Sequence, residues 1–163
     1  LDLFPMRLTI ILMNSKPRFI ADAMLGKLST WLRVLGWDAE YVKGRKSEEL
    51  LEQARSEGKI LLTRRQGLED ERLIFIESEI LEEQLKQLEE LYKILTRSEP
   101  FSRCIECNVE LQVIDKAEVK GKVPFFTYQT QDEFYRCPRC NKIFWPGSHH
   151  TAMLRKIKGL KES

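Results

Sequence analysis

Arg18-Phe-Ile-Ala-Asp-Ala-Met-Leu-Gly-Lys-Leu-Ser-Thr-Trp-Leu-Arg-Val-Leu-Gly-Trp37 changes its hydrophobic period part-way along. Phe19, Ile20 and Ala21 form the short apolar run of a buried strand. From Met24 the spacing becomes helical, with Leu25, Leu28, Trp31, Leu32 and Leu35 on one face, and Gly36 ends the helix. Asp22 falls at the switch between the two periods. An open α/β sheet places ligand-binding groups there, outside the carboxyl end of a strand, although an Asp at that point would equally serve as a helix cap.

Downstream of Gly36 the strand and helix rhythm continues, which is the pattern of a parallel sheet. Asp38 to Val42 reads as a second strand. Ser47 to Glu57 reads as a helix with Ser47 at its N-cap, Leu50, Leu51 and Ala54 on its core face, and Gly58 as its stop. Lys59 to Thr63 is a third strand whose continuous Ile60, Leu61 and Leu62 predict cover on both faces. Leu73 to Ile76 is a fourth, and Ile80 to Leu95 a long helix with Leu81, Leu85, Leu88, Tyr92 and Leu95 at heptad-like spacing.

Right-handed crossovers carry the carboxyl ends of these strands to one edge. Asp22, then Ser47, Glu48 and Glu49, then Arg64 and Arg65, then Glu77 are expected along it. Carboxylates gathered there would suit Mg²⁺ or Mn²⁺, which take hard oxygen ligands and promote attack on a phosphodiester. Glu48 and Glu49 are equally explained by the helix dipole.

Ser98 to Arg103, containing Pro100, reads as a linker. Beyond it stand Cys104-Ile-Glu-Cys107 and Cys137-Pro-Arg-Cys140, 29 residues apart. Paired Cys-x-x-Cys knuckles around a strand-rich insert are the pattern of a closed, four-coordinate zinc ribbon, with Zn²⁺ in a structural role. Phe125, Phe126, Tyr128, Phe134 and Tyr135 lie between the knuckles; most are expected in the small ribbon core, leaving one or two to stack on bases. His149 follows as a residue for acid-base chemistry, phosphate contact or a structural hydrogen bond. Arg155 to Lys161 reads as a basic helix end.

The chain has 163 residues and a formal net charge of +2, too little for nucleic-acid binding by bulk electrostatics. Residues 1 to 98 carry 16 Lys/Arg and 17 Asp/Glu, and residues 99 to 163 carry 11 and 8, so any nucleic-acid surface is local. No stretch approaches the roughly 20 apolar residues of a membrane span, and Leu8 to Met13 is too short for a signal-peptide core. A soluble, cytoplasmic protein without membrane contact is expected. Residues 1 to 12 read as a start-site extension before Met13.

Phe19-Ile-Ala-Asp-Ala-Met-Leu-Gly-Lys-Leu with Trp31-Leu-Arg-Val-Leu-Gly, Ile60-Leu-Leu-Thr-Arg, Ser102-Arg-Cys-Ile-Glu-Cys-Asn, and Asp132-Glu-Phe-Tyr-Arg-Cys-Pro with Trp145-Pro-Gly-Ser-His occur in the order found in one family. Over residues 18 to 153 the chain closely resembles the Mut7-C RNase domain family. The resemblance implies a PIN-like α/β/α domain with a parallel sheet over residues 18–97, preceded by an extension over 1–17. A zinc ribbon and basic tail then occupy 98–163. It also implies an acidic cluster that binds divalent metal and cleaves RNA, with Asp22 matching the family's first acidic position. Ser47 stands where members usually carry Asp, and Arg65 follows Thr63-Arg64 where they usually read Thr-Arg-Asp.

Glu48, Glu49, Glu69, Asp70 or Glu77 would have to supply the missing carboxylates. Arg65 places a permanent cation at a ligand position, where it would hold a phosphate instead. Two functions follow. One is a metal-dependent endoribonuclease built on Asp22, Glu48, Glu49 and Glu77. The other is an RNA- or ribosome-binding protein that keeps the fold with impaired catalysis, contacting RNA through Arg64, Arg65, His149 and, on the polar side of the first helix, Lys27 and Arg33. A third reading, a protein-interaction adaptor using the ribbon, needs no nucleic acid.

Overall fold

The computed structural model describes residues 16–163, so the expected extension over residues 1 to 12 lies outside the described residues. Strand β1 (Phe19–Ala21) leads into helix α1 (Gly26–Val34), followed by β2 (Ala39–Tyr41), α2 (Ser47–Glu57), β3 (Ile60–Thr63), β4 (Leu73–Phe75) and α3 (Leu81–Tyr92). The four strands are parallel, in the order β2-β1-β3-β4. Phe19 sits opposite both Ala39 and Ile60, and Leu61 opposite Leu73.

Alternation sorts the apolar residues to the two faces. Phe19, Ala21, Ile60 and Leu62 pack with Leu28 and Leu32 of α1 and Leu85, Leu88 and Tyr92 of α3. Ile20, Leu61 and Leu73 point the other way, onto Leu50, Leu51 and Ala54 of α2. The result is the α/β/α arrangement expected from the unbroken apolar runs.

Element ends move by a few residues, for local reasons. Helix α1 begins at Gly26, because the Leu25 amide is taken by the Asp22 carbonyl at 2.9 Å. Helix α2 has Lys46, not Ser47, at its N-cap, and Glu49 accepts the Lys46 amide at 3.4 Å. Helix α3 stops at Lys93, which turns left-handed (φ 58°), and the Glu89 carboxylate receives the Leu95 amide at 2.6 Å. Ile94 and Leu95 therefore stay buried without being helical.

A second sheet is antiparallel, β5 (Gln112–Ile114), β6 (Phe134–Arg136) and β7 (Ile143–Phe144) in that order. A 3-10 turn (Lys116–Val119) and helix α4 (Phe125–Thr130) fill the β5 to β6 connection. Its small core is Ile114, Val119 and Phe134, with Val123, Tyr128, Ile143 and Trp145 against them. Each knuckle reads Cys-x-x-Cys-Asn, and both asparagines, Asn108 (φ 59°) and Asn141 (φ 61°), adopt the left-handed conformation that Asn tolerates best after Gly.

The chain then returns. Helix α5 (Ser148–Glu162) buries Ile157 in the core shared by α1 and α3, with Met153 and Leu160 beside it. The segment read as a basic helix end is thus partly a packing element. No described helix is long and apolar enough to cross a membrane.

Candidate site at the carboxyl edge of the sheet, and the cysteine quartet

Asp22 leaves β1 at the edge where the strand periods change, and it is fully buried. Its Oδ1 accepts the Ala23 amide at 2.7 Å and the Arg65 guanidinium at 2.9 Å. Its Oδ2 accepts the Thr63 hydroxyl at 2.7 Å. The Thr63 Oγ1 in turn accepts the Arg65 amide at 3.0 Å, closing a ring through Asp22, Thr63 and Arg65. Thr63 is the polar end of an otherwise apolar strand, and burial of its hydroxyl is tolerated because donor and acceptor roles are both used.

Arg65 is one-third exposed, and its second nitrogen donates to the Arg45 carbonyl at 3.0 Å. This ties the loop after β2, Lys43-Gly-Arg-Lys46, to the end of β3. Lys43, Arg45 and Lys46 are all exposed. Arg64 donates to the Ile76 carbonyl at 2.8 Å and lies 3.5 Å from Glu79. Arg65 is thus the cation that meets the buried carboxylate, while Arg45 and Arg64, from the loops after β2 and β3, lie against Glu49 and Glu79.

Glu48, Glu49 and Glu77 are exposed. Glu49 is 3.6 Å from Arg45. Among the described residues, groups of three or more His, Cys, Asp or Glu ligand atoms within 4.8 Å of one another reduce to the cysteine quartet. Asp22, Glu48, Glu49 and Glu77 form no such group. The donor set at this edge, one carboxylate facing a guanidinium, does not fit a Mg²⁺ or Mn²⁺ site, which needs several oxygens free of competing cations.

A cleft of about 500 Å³ opens between the start of α1 and the start of α3. Met24, Lys27, Glu79 and Glu82 line it, with Lys156 of α5 at its rim. Lys27 is exposed there, as the helical spacing implied. Arg33 is committed elsewhere, to the Ala39 carbonyl at 2.8 Å and the Ile105 carbonyl of the first knuckle at 2.8 Å. Burial lowers its pKa against the raising effect of Asp38. Its place at the foot of the knuckle makes it a strut between the two sheets. His149 is exposed in the first turn of α5, and His150 beside it stacks on Phe101 at 3.8 Å, where burial lowers its pKa.

Cys104 and Cys137 are buried, Cys107 and Cys140 partly so, and their sulfurs lie within 4.8 Å of one another. Burial, reinforced by the neighbouring thiols, pushes Cys107 up to about 12. At Cys137 burial acts upward too, but the amides of Cys140 and Arg139 outweigh it and bring the thiol down to about 7. Four sulfurs so close cannot all be ionised without a compensating cation, so the quartet could hold a metal ion such as zinc and fits a zinc ribbon.

The model of the Mut7-C RNAse domain matches residues 17–157, which takes in the Asp22 edge and all four cysteines. The chain belongs to the Mut7-C RNAse domain family. That membership suggests a ribonuclease-type function and implies RNA as substrate or partner. No curated protein and no solved structure matches it. Thr63, the Arg45 carbonyl and Asn108 are the structural contributors that this Mut7-C sequence did not announce. Asn108 accepts the Ala39 amide at 3.0 Å and donates to Asp38 at 2.8 Å, so the first knuckle is pinned to the edge strand β2. Only the Asn shared by both knuckles could have signalled it.

Proposed function

We propose that this Mut7-C chain binds RNA through the basic carboxyl edge of its parallel sheet, with Arg65 occupying the place of a metal ligand and catalysis correspondingly impaired. The observation that carries this is the Asp22–Arg65 pair at 2.9 Å. One terminal nitrogen of the guanidinium satisfies the buried carboxylate and the other the Arg45 carbonyl, while the one-third-exposed side chain keeps a permanent positive charge at the edge. Arg64, Lys43, Arg45 and Lys46 supply further cations for phosphates along the same edge, and Lys27 extends them into the neighbouring cleft. A structural Zn²⁺ on Cys104, Cys107, Cys137 and Cys140 holds the ribbon in place beside β2. RNA in the cell, free or within a ribosome, is the partner.

The second reading is the metal-dependent endoribonuclease, favoured by the family match and by Asp22 standing at the end of the first strand. Fluorescence anisotropy with a labelled structured RNA, run over a salt series, tests the first. Arg65→Ala is expected to weaken binding and to reduce the salt slope by about 1. Cleavage is read in the same samples with Mg²⁺ or Mn²⁺ added. Cleavage by the native chain that vanishes in Asp22→Asn would establish the nuclease. Binding without cleavage in both would establish the binding groove.

A further inference from the structure

Phe125 and Phe126 are each 74% exposed, neighbours at the start of α4, a helix of 6 residues none of which is buried. The helix is seated through Tyr128, which packs on the ribbon core. Lys116 lies 5.1 Å from the Tyr128 ring. Two adjacent phenyl rings held in water by an anchored helix are costly to keep unless something covers them.

The charges around them say what. Each of the segment's four acids has a partner: Asp115 and Glu118 each accept the other's backbone amide across the 3-10 turn, Asp132 lies 3.3 Å from Lys116, and Glu133 accepts the Tyr135 hydroxyl at 3.5 Å. Lys120 and Lys122, in the turn that leads into α4, are exposed and make no ion pair among the described residues. Two exposed phenyl rings within six residues of two uncommitted lysines in the chain are the donor set of a stacking platform, on which bases lie against the rings while ammonium groups meet the phosphates.

We infer that Phe125 and Phe126, with Lys120 and Lys122, form a binding site for single-stranded RNA on the ribbon, separate from the sheet edge. The inference rests on the reading of the chain as an RNA binder and narrows it to unpaired nucleotides. A duplex cannot use the platform, because its bases are already stacked on one another.

The test is anisotropy on the full chain with labelled oligouridine and, in parallel, a duplex RNA. The variants are Phe125→Ala/Phe126→Ala, Phe125→Tyr/Phe126→Tyr, Lys120→Gln/Lys122→Gln and Arg65→Ala. Far-UV circular dichroism and thiol accessibility of the cysteines report on folding. The alanine pair is expected to lose about tenfold or more of its affinity for oligouridine while its duplex affinity stays unchanged. The tyrosine pair should bind like the parent, and the glutamine pair should lose affinity together with part of the salt dependence. Equal oligouridine binding by the parent and the alanine pair overturns the inference, as does a loss shared equally between oligouridine and duplex. A change confined to self-association in sedimentation would also overturn it and make the patch a protein-docking surface. Loss in the phenylalanine variants with no effect of Arg65→Ala would leave the platform standing and remove the sheet-edge reading. No RNA binding by the parent would remove both.

Discussion

Asp22 and Arg65 show how the partner of one buried carboxylate decides the chemistry open to a site. With an acid after Thr63-Arg64, Asp22 would face a second carboxylate, and their repulsion would call for a cation. With Arg65 the cation is covalently part of the chain. Arg65→Ala is expected to cost about 2 kcal/mol in urea unfolding, because it strands a buried carboxylate that keeps only its Ala23 and Thr63 donors. Arg65→Asp is the informative reversal: it should create Mn²⁺ or Mg²⁺ binding, read by calorimetry, if the edge is otherwise intact.

At the same scale, Asp70 is expected to contribute to acid stability. The Arg72 amide at 2.9 Å and the Arg55 guanidinium hold its carboxyl below the usual range. A lowered folded pKa means that this stabilisation is complete above the unfolded value of about 3.9 and is lost as pH falls through the folded value. Asp70→Asn should therefore lower the melting temperature near neutrality and flatten its fall below about pH 4.

Among the elements, α1 and its exit turn carry the tightest geometry. Gly36 has φ +87°, and a Cβ there would lie 2.4 Å from the Glu99 carbonyl oxygen and 2.7 Å from the Ser102 hydroxyl. Gly36 is thus both the helix stop visible in the sequence and the point where the linker crosses. The linker is bound there by the Glu99 amide on Leu35 O and the Phe101 amide on Val34 O, each at 2.9 Å. Gly36→Ala should destabilise by about 2 kcal/mol or more, measured by denaturant midpoint, since the clash is with backbone that cannot step aside. Helix α5 presents the opposite case, a basic and weakly patterned segment made structural by one face. Ile157→Ala should cost about 3 kcal/mol. Loss of the Lys156 to Glu82 contact at 3.4 Å should be hard to measure, because both partners are exposed to solvent over nearly half their surface.

At the scale of the whole molecule, the ribbon and the sheet domain are joined by polar contacts to backbone. Arg33 reaches the first knuckle, Asn108 reaches β2, and α5 returns to the sheet domain's core. Chelation by a strong zinc ligand is expected to release the ribbon and lower the melting temperature of the full chain. Arg33→Lys, which keeps the charge but loses the fork, should make the ribbon's cysteines react faster with a thiol reagent.

The parallel sheet, its covering on both faces and the paired knuckles were legible in the sequence, because apolar period and ligand spacing are local properties. Phe19-Ile-Ala and Ile60-Leu-Leu could be read as buried strands without knowing what lay on either side. Asp22 was legible as a position, from the change of period and from the family pattern. What it does was not. Whether its oxygens meet a metal or a guanidinium depends on Arg65, 43 residues away in the chain, and on the Arg45 carbonyl that holds Arg65 in place. The same distance effect turned Arg33 from an RNA contact into a strut and turned a basic tail into a packed helix. Period and spacing are set by neighbours in the chain; the partner of a charge is set by neighbours in space, and only the fold supplies those.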